Sequence, residues 1–473
     1  MFRSLRRLPK EFWAAIAVSA VVLGGCAALQ APEPVIPATP NDPSWSARDI
    51  QDHLTYLNGS ATVGRTIGSA AMESAAQYAA SRMQAYRLQP IYGNARALSF
   101  TTPVHRIRST TLASVQRDSL VLQPGIDYIA DSRTDSGAVN MRFMHVARTG
   151  DVAPFPTATE SALAVMISGE AATPERLGDL ASRGFRLALV VRGLAPVGAA
   201  QPTPELLVMQ ITPEAAAWVL GLSAEQFDEI WNTDVMLRSL PRRLVATVDA
   251  GWEHEAEAIN VGGYLAGRHP TLMRELVIVA APLDSPRLVR GQRLVDVDDR
   301  GTYLTTLLEV ARNEADVSMR WIHPVRSVLF VGLSGSRSGH QGLNAFLDRL
   351  PWEREHVKRI IFIGLDGEEE AVAREMLSRH GIPLEVVRHQ ESAPQKFVHA
   401  NERQARRDSP VPSPVVEATA PDLSTITPTL LSRVERLSAE VHNVLYRHVG
   451  VVHPEAVSSD GAHSTELQSQ HDQ

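Results

Sequence analysis

The chain has 473 residues, with 46 lysines and arginines against 53 aspartates and glutamates, for a formal net charge of −7. That is enough chain for two or three domains with sizeable cores, and the acidic balance excludes a surface built to hold nucleic-acid phosphates. Cys26 is the one cysteine, so an intrachain disulfide is excluded and stability must come from packing.

Arg3, Arg6, Arg7 and Lys10 form a basic head, residues 12–23 a short apolar run, and Leu23-Gly24-Gly25-Cys26 follows. This layout predicts a signal peptide over 1–26, too short for a comfortable membrane span. Its last four residues resemble a bacterial lipobox, in which cleavage exposes the cysteine for acylation. The resemblance implies lipidation at Cys26 and a place in the bacterial cell envelope, anchored to a membrane and facing the periplasm or exterior. Pro32, Pro34, Pro37, Pro40 and Pro43 then suit an extended spacer over 27–45.

Ser46 can cap a helix carrying Ile50, Leu54 and Leu57, which Asn58-Gly59 would end. After a loop with Gly64-Arg65 and Gly68-Ser69, the alanine-rich residues 70–86 place Met72, Tyr78 and Met83 near one helical face. Residues 87–99 read as a turn into extended chain, and 113–122 and 141–147 alternate enough to be strands. From 162 to 222 the pattern becomes a compact unit: strand 163–167, helix 174–183, strands 187–191 and 206–211, helix 213–220. In pattern and order this unit resembles the protease-associated domain; an unrelated α/β insertion is the alternative.

Asn260-Val261 returns the chain to the main domain, and 276–281 is a buried strand ending at Pro282-Leu283-Asp284. An acidic stretch, Asp296-Val297-Asp298-Asp299-Arg300-Gly301, precedes a helix over 302–312 with Leu304, Leu307, Leu308 and Ala311 on its inner face. Strand 328–333 runs into the glycine-serine turn Gly335-Ser336-Arg337-Ser338-Gly339. A helix over 342–350 and strand 359–365, ending at Asp366, follow. The expectation is an α/β chain whose main domain, over 46–134 and 246–450, is a doubly wound, mostly parallel sheet. A smaller α/β domain over 135–245 would be inserted in it, and 451–473 would be a polar tail.

In order and spacing, LVIVAAPLDSP, DDRGTYLTTLLEVAR, VLFVGLSGSRSG and IIFIGLDG resemble the two-zinc aminopeptidases, the zinc exopeptidases that include the transferrin-receptor ectodomain and glutamate carboxypeptidase. The likeness covers roughly residues 45–449, taking in the early Gly64 to Ser69 segment and a last helix entered at Ile426-Thr427-Pro428. It implies two zinc ions about 3.5–4 Å apart that activate a shared water. His-x-Asp, a bridging aspartate, a Glu-Glu pair, a later aspartate and a final histidine would hold them.

Taken position by position, the resemblance also implies that the zinc site is degenerate. Pro282 stands for the histidine ligand, while Asp284 keeps the aspartate beside it. Asp298 falls on the bridging carboxylate, followed by Asp299, with Arg300 in place of an asparagine. Ser336-Arg337 replaces the general base and a ligand, Asp366 falls on the later aspartate, and the final histidine maps near Glu417 or Ala418. Arginine stays protonated, so Arg337 is expected to pair with Asp298 or Asp366 where the metals would be. No cofactor is then expected, and Asp298 and Asp366 are the residues that could still bind a metal.

Other candidates have plainer explanations. Gly367-Glu368-Glu369-Glu370 copies a Glu-Glu pair but suits an acidic helix start. Ser334, Ser336 or Ser338 with His340 would make a hydrolase elbow only outside the G-x-S-x-G frame. His453, His463 and His471, with Asp460 and Asp472, lie far apart in the polar tail, and a solvated loop accounts for the Asp296–Asp299 cluster. The expected function is a lipid-anchored envelope protein with an aminopeptidase-like fold, catalytically inactive, that binds a peptide or another envelope protein. The alternatives are an active zinc aminopeptidase in which His340 or a tail histidine replaces a lost ligand, and a purely architectural protein.

Overall fold

The computed structural model describes residues 43–59, 61–62, 64–114, 120–149, 163–194, 202–233, 238–240, 243–285, 299–319, 323–365, 367–388, 428–449 and 451–452. Two helices come first, α1 (Ala47–Leu57) and α2 (Ala70–Ala85). The Ser46 hydroxyl accepts the Asp49 amide at 3.2 Å and the Ser69 hydroxyl accepts that of Met72 at 3.1 Å. Each thereby satisfies an amide that the first helical turn leaves without a partner. Strands β1 (Gln89–Pro90), β2 (Ala97–Ser114), β3 (Leu120–Val121), β4 (Tyr128–Ala130), β5 (Gly137–Met141) and β6 (Met144–Val146) follow. Next come β7 (Leu163–Ser168), α3 (Pro174–Ser182), β8 (Phe185–Val191), β9 (Leu207–Ile211), α4 (Pro213–Leu220), α5 (Ala224–Asn232) and β10 (Arg238–Leu240). The rest is β11 (Leu244–Leu265), β12 (Leu276–Pro282), α6 (Asp299–Met319), β13 (His323–Pro324), β14 (Ser327–Leu333), α7 (Gln341–Asp348), β15 (Val357–Ile363), α8 (Gly367–Ser378), β16 (Leu384–Val387), α9 (Pro428–Val449) and β17 (Val451–Val452).

The main sheet has nine strands in the order β16-β15-β12-β14-β11-β2-β3, with β1 and β5 also paired to β11. β16, β15, β12 and β14 are mutually parallel. Their side chains alternate between two buried layers, as a strand's period of two requires. Val277, Val279, Phe330 and Ile361 join one core with residues of α2, α6 and α9. Ile278, Ala280, Val331 and Phe362 join another with residues of α7 and α8. This part is doubly wound as expected. The sheet as a whole is mixed rather than mostly parallel, because β11 runs against β14, and β2 against β11.

β2 and β11 are 18 and 22 residues long and pair along most of their length, with register shifts at Asp249/Ala250 and Glu253/Ala256. Such bulges bend and twist a ribbon, and here the ribbon serves two cores. Leu244, Ala246, Val248 and Ala250 pack with the second sheet, while Val261 packs in the main one. The second sheet has six strands in the order β10-β6-β7-β8-β9-β4, of which β6, β7, β8 and β9 are parallel. The strand expected over 141–147 divides between the sheets, since β5 pairs with β11 and β6 with β7. The first two tail residues form β17 against β13.

His145, on β6, is 5 % exposed and meets the Phe185 ring edge-on at 5.8 Å. Burial pushes its pKa below the ordinary value, so it stays neutral in the fold, while the unfolded chain takes up a proton near pH 6.5. Its contribution is intact above that pH and declines as pH falls toward the folded value. The urea midpoint should therefore drop between pH 7 and pH 5.5, and His145→Leu should make that decline shallower. His105 and His323, also lowered by burial, would carry the remainder.

Candidate functional site

The carboxyl ends of β12, β14 and β15 meet where an open α/β sheet places its chemistry. Pro282 closes β12 in register with Leu333, and the Leu283 amide continues the ladder to the Leu333 carbonyl at 2.8 Å. A proline is tolerated at this point because its missing N–H falls on the β15 side, where the pairing of β12 ends at Ala280. Its ring offers no donor atom to a metal.

Two residues on, the Asp284 carboxylate is 5 % exposed and faces the turn after β14. It accepts the Ser336 hydroxyl at 2.8 Å and the Ser336 amide at 3.3 Å. Ser336 opens a 3₁₀ turn, Ser336–Ser338, entered through Gly335 in the left-handed region at φ 69°, where glycine carries no steric penalty. His340 is also left-handed, at φ 57°, an uncommon conformation for a residue with a Cβ. Its ring is 2 % exposed, lies edge-on to Phe362, and has Nε2 2.7 Å from the Glu369 carbonyl oxygen. Ser336 is thus bonded to an aspartate and His340 to a backbone carbonyl. Neither is aligned with the other as nucleophile and base.

Two more side chains fix these ends. Arg65 is fully buried, and its Nε donates to the Leu283 carbonyl at 2.9 Å while Nη1 donates to the carbonyls of Leu57 and Thr62. Backbone bonds reinforce the join, from the Arg65 amide to the Ser285 hydroxyl at 2.9 Å and from the Ser285 amide to the Arg65 carbonyl at 2.7 Å. Asn260, near the end of β11, donates to the Gly342 carbonyl at 2.8 Å and accepts the Ser334 amide at 3.1 Å. It thereby ties β14 to the start of α7. The segments holding Arg65 and Asn260 carry part of the family resemblance, but nothing in their spacing marks either as a buried clamp.

Asp298, Asp366, Glu417 and Ala418 lie outside the described residues, as do the side chains of Asp299, Arg300, Arg337 and Glu368. The expected pairing of Arg337 with Asp298 or Asp366 falls there too, with Cys26 and the tail histidines. α8 begins at Gly367, so the acidic run does open a helix; Glu370 pairs with Arg374 and Arg388. Among the described residues no three of His, Cys, Asp and Glu come close enough to hold a metal ion. Pro282, at a ligand position of the resemblance, has no donor atom for zinc, and Ser336, at its general-base position, is a hydroxyl that donates to Asp284. The proline does not fit a zinc pair, and the serine does not fit the base beside it.

No family model matches the sequence, and no curated protein matches it either. Solved structures do. An aminopeptidase from Aneurinibacillus sp. strain AM-1 is 13% identical, with 85% of this chain and 94% of that one covered at a TM-score of 0.51. The zinc aminopeptidase BSAP from Bacillus subtilis is 14% identical, with 86% and 97% covered at a TM-score of 0.52. The chain has a zinc-exopeptidase-like fold. At such low identity the likeness lies in the fold alone. Within this zinc-exopeptidase-like fold, the Pro282, Asp284 and Ser336 cluster lies at the carboxyl ends of two neighbouring parallel strands, β12 and β14.

Proposed function

We propose that this chain is a non-catalytic protein with a zinc-exopeptidase-like fold that binds a peptide, or an extended segment of another envelope protein, at the strand ends. The observation that carries the reading is the Ser336 hydroxyl on the buried Asp284 carboxylate beside Pro282. A serine hydroxyl has neither the basicity nor the charge to take a proton from water, and proline has no ligand atom. The basic head, Cys26 and the proline-rich segment support a lipid anchor and an envelope location. The strand-helix order of β7, α3, β8, β9 and α4 supports reading the second sheet as a protease-associated-like module.

Metal analysis of the purified chain, paired with release of amino acids from peptide substrates with and without added zinc, tests the loss of catalysis. The expected result is no stoichiometric zinc and no turnover under either condition. Stoichiometric zinc, with turnover that Asp298→Ala abolishes, would instead establish an active aminopeptidase with displaced ligands. A stable partner in pull-downs with no peptide binding would favour the architectural alternative.

A further inference from the structure

The second sheet carries a pocket of its own. β6, β7 and β8 are parallel, and their carboxyl ends open together into a cavity of about 490 Å³ lined by Arg148, Ser168, Gly169, Glu170, Arg192 and Trp231, with Val191 at the strand end. The backbone sets this arrangement. The Ser168 amide donates to the Arg148 carbonyl at 3.0 Å, and the Gly169 amide to that of Val191 at 3.2 Å. Gly169 has a specific use here: a Cβ on it would lie 3.2 Å from Cβ of Arg192 and 3.4 Å from its Cδ. The arginine stem therefore lies across a position that glycine leaves bare.

Charge and shape define what this pocket can hold. Arg148, Arg192 and Trp231 are all half-buried. Neither arginine has an ion-pair partner among the described residues, whereas Arg133, Arg183 and Arg186 of the same unit are paired with Asp131, Asp179 and Glu205. Two partly desolvated guanidinium groups in one pocket repel one another until an anion joins them, and the arginine fork suits a carboxylate. The Trp231 indole is stacked on Phe227 at 5.2 Å, and Phe227 is 1 % exposed, so the indole is a fixed apolar wall. The Ser168 hydroxyl accepts the Ala171 amide at 3.2 Å, which leaves its proton to donate. Glu170, exposed at the rim, disfavours a multiply charged anion and can accept an N–H from the ligand.

We propose that this pocket binds a carboxylate of a short acidic peptide, the carboxylate on Arg148 and Arg192 and the flanking apolar part against Trp231. A peptide supplies a singly charged group, N–H donors for Glu170 and an apolar neighbour together; inorganic phosphate supplies only charge. The proposal does not depend on the reading of the strand-end cluster near Ser336.

Isothermal titration of the intact protein with acetylated, amidated Ala-Ala-Glu-Glu-Ala-Ala, with its Gln-Gln counterpart, with Ala-Ala-Ala bearing a free carboxyl terminus, and with inorganic phosphate tests it. At least one carboxylate peptide should bind, and the better of the Glu-Glu and free-terminus peptides identifies the carboxylate's source. The Gln-Gln peptide should bind at least about tenfold more weakly, and Arg148→Ala and Arg192→Ala should each cost about tenfold, as expected for loss of one charge-assisted contact. Gly169→Ala should weaken binding with every charge kept, and Arg192→Lys should restore part of what Arg192→Ala loses. Thermal melts of each variant establish that it is folded. Equal binding of the Gln-Gln peptide, unchanged affinity in both alanine variants, or binding of phosphate but of neither carboxylate peptide would overturn the proposal, as would no binding of any probe at millimolar concentration.

Discussion

Replacing Arg65 with methionine should destabilise the folded chain by about 3–5 kcal/mol. The guanidinium is fully buried and donates to carbonyls of Leu57 and Thr62, in the stretch just before it, and of Leu283 at the end of β12. Methionine keeps the length and apolar character of the stem but leaves those oxygens without a donor, each at a cost of about 1–3 kcal/mol. The backbone bonds between Arg65 and Ser285 would survive, so the loop should loosen rather than detach. Arg65→Lys keeps one charge on one nitrogen, which cannot reach three fanned carbonyls, and should recover less than half of the loss. Urea denaturation of the three proteins checks this. A methionine variant within about 0.5 kcal/mol of the parent, the scatter of neutral surface changes, would show that Arg65 does not hold the end of β12 in place.

Gly342→Ala should cost about 3 kcal/mol or more. A Cβ at this position would lie 2.1 Å from the Ser334 carbonyl oxygen and 2.8 Å from the Ser334 amide nitrogen, with Asn260 Oδ1 at 2.7 Å. Two of those atoms are backbone and cannot rotate away. To admit the methyl group, α7 would have to move off β14. That movement would break the Gly342 amide bond to the Ser334 carbonyl, at 3.0 Å, and the Asn260 bond to the Gly342 carbonyl, at 2.8 Å. Gly367, where a Cβ would meet nothing within 4 Å, is the control. Gly367→Ala should be close to neutral, and the contrast in melting temperature separates steric exclusion from the general effect of removing a glycine.

The order of the main elements was legible because apolar periodicity reports directly on which faces are buried. Leu304, Leu307, Leu308 and Ala311 were expected on the inner face of one helix, and each is fully buried on α6. The length of that helix was less legible. α6 runs to Met319, past the 312 at which the apolar pattern stops, and is supported there by the Arg312 pairings with Glu309 and Asp316 at 3.1 Å. Glu309 shows the limit most clearly. A charged residue in a helix reads as a solvated face, yet Glu309 is fully buried between Arg312 and His53, which comes from α1. A partner more than 250 positions away leaves no mark in the local pattern.

The same division runs through the two candidate binding regions. Pro282 and Ser336 are what they are at every stage, and the chemistry a proline or a serine lacks can be known from its formula. Covalent identity alone therefore fixes that Pro282 carries no ligand atom and Ser336 no carboxylate. That Ser336 faces Asp284, that Arg65 braces the end of β12, and that Arg148 and Arg192 share one pocket were decided by tertiary structure. These contacts join residues 44 to 220 positions apart. Their geometry is set by strand register and by glycines that permit close approach, and neither is encoded in any short stretch of sequence.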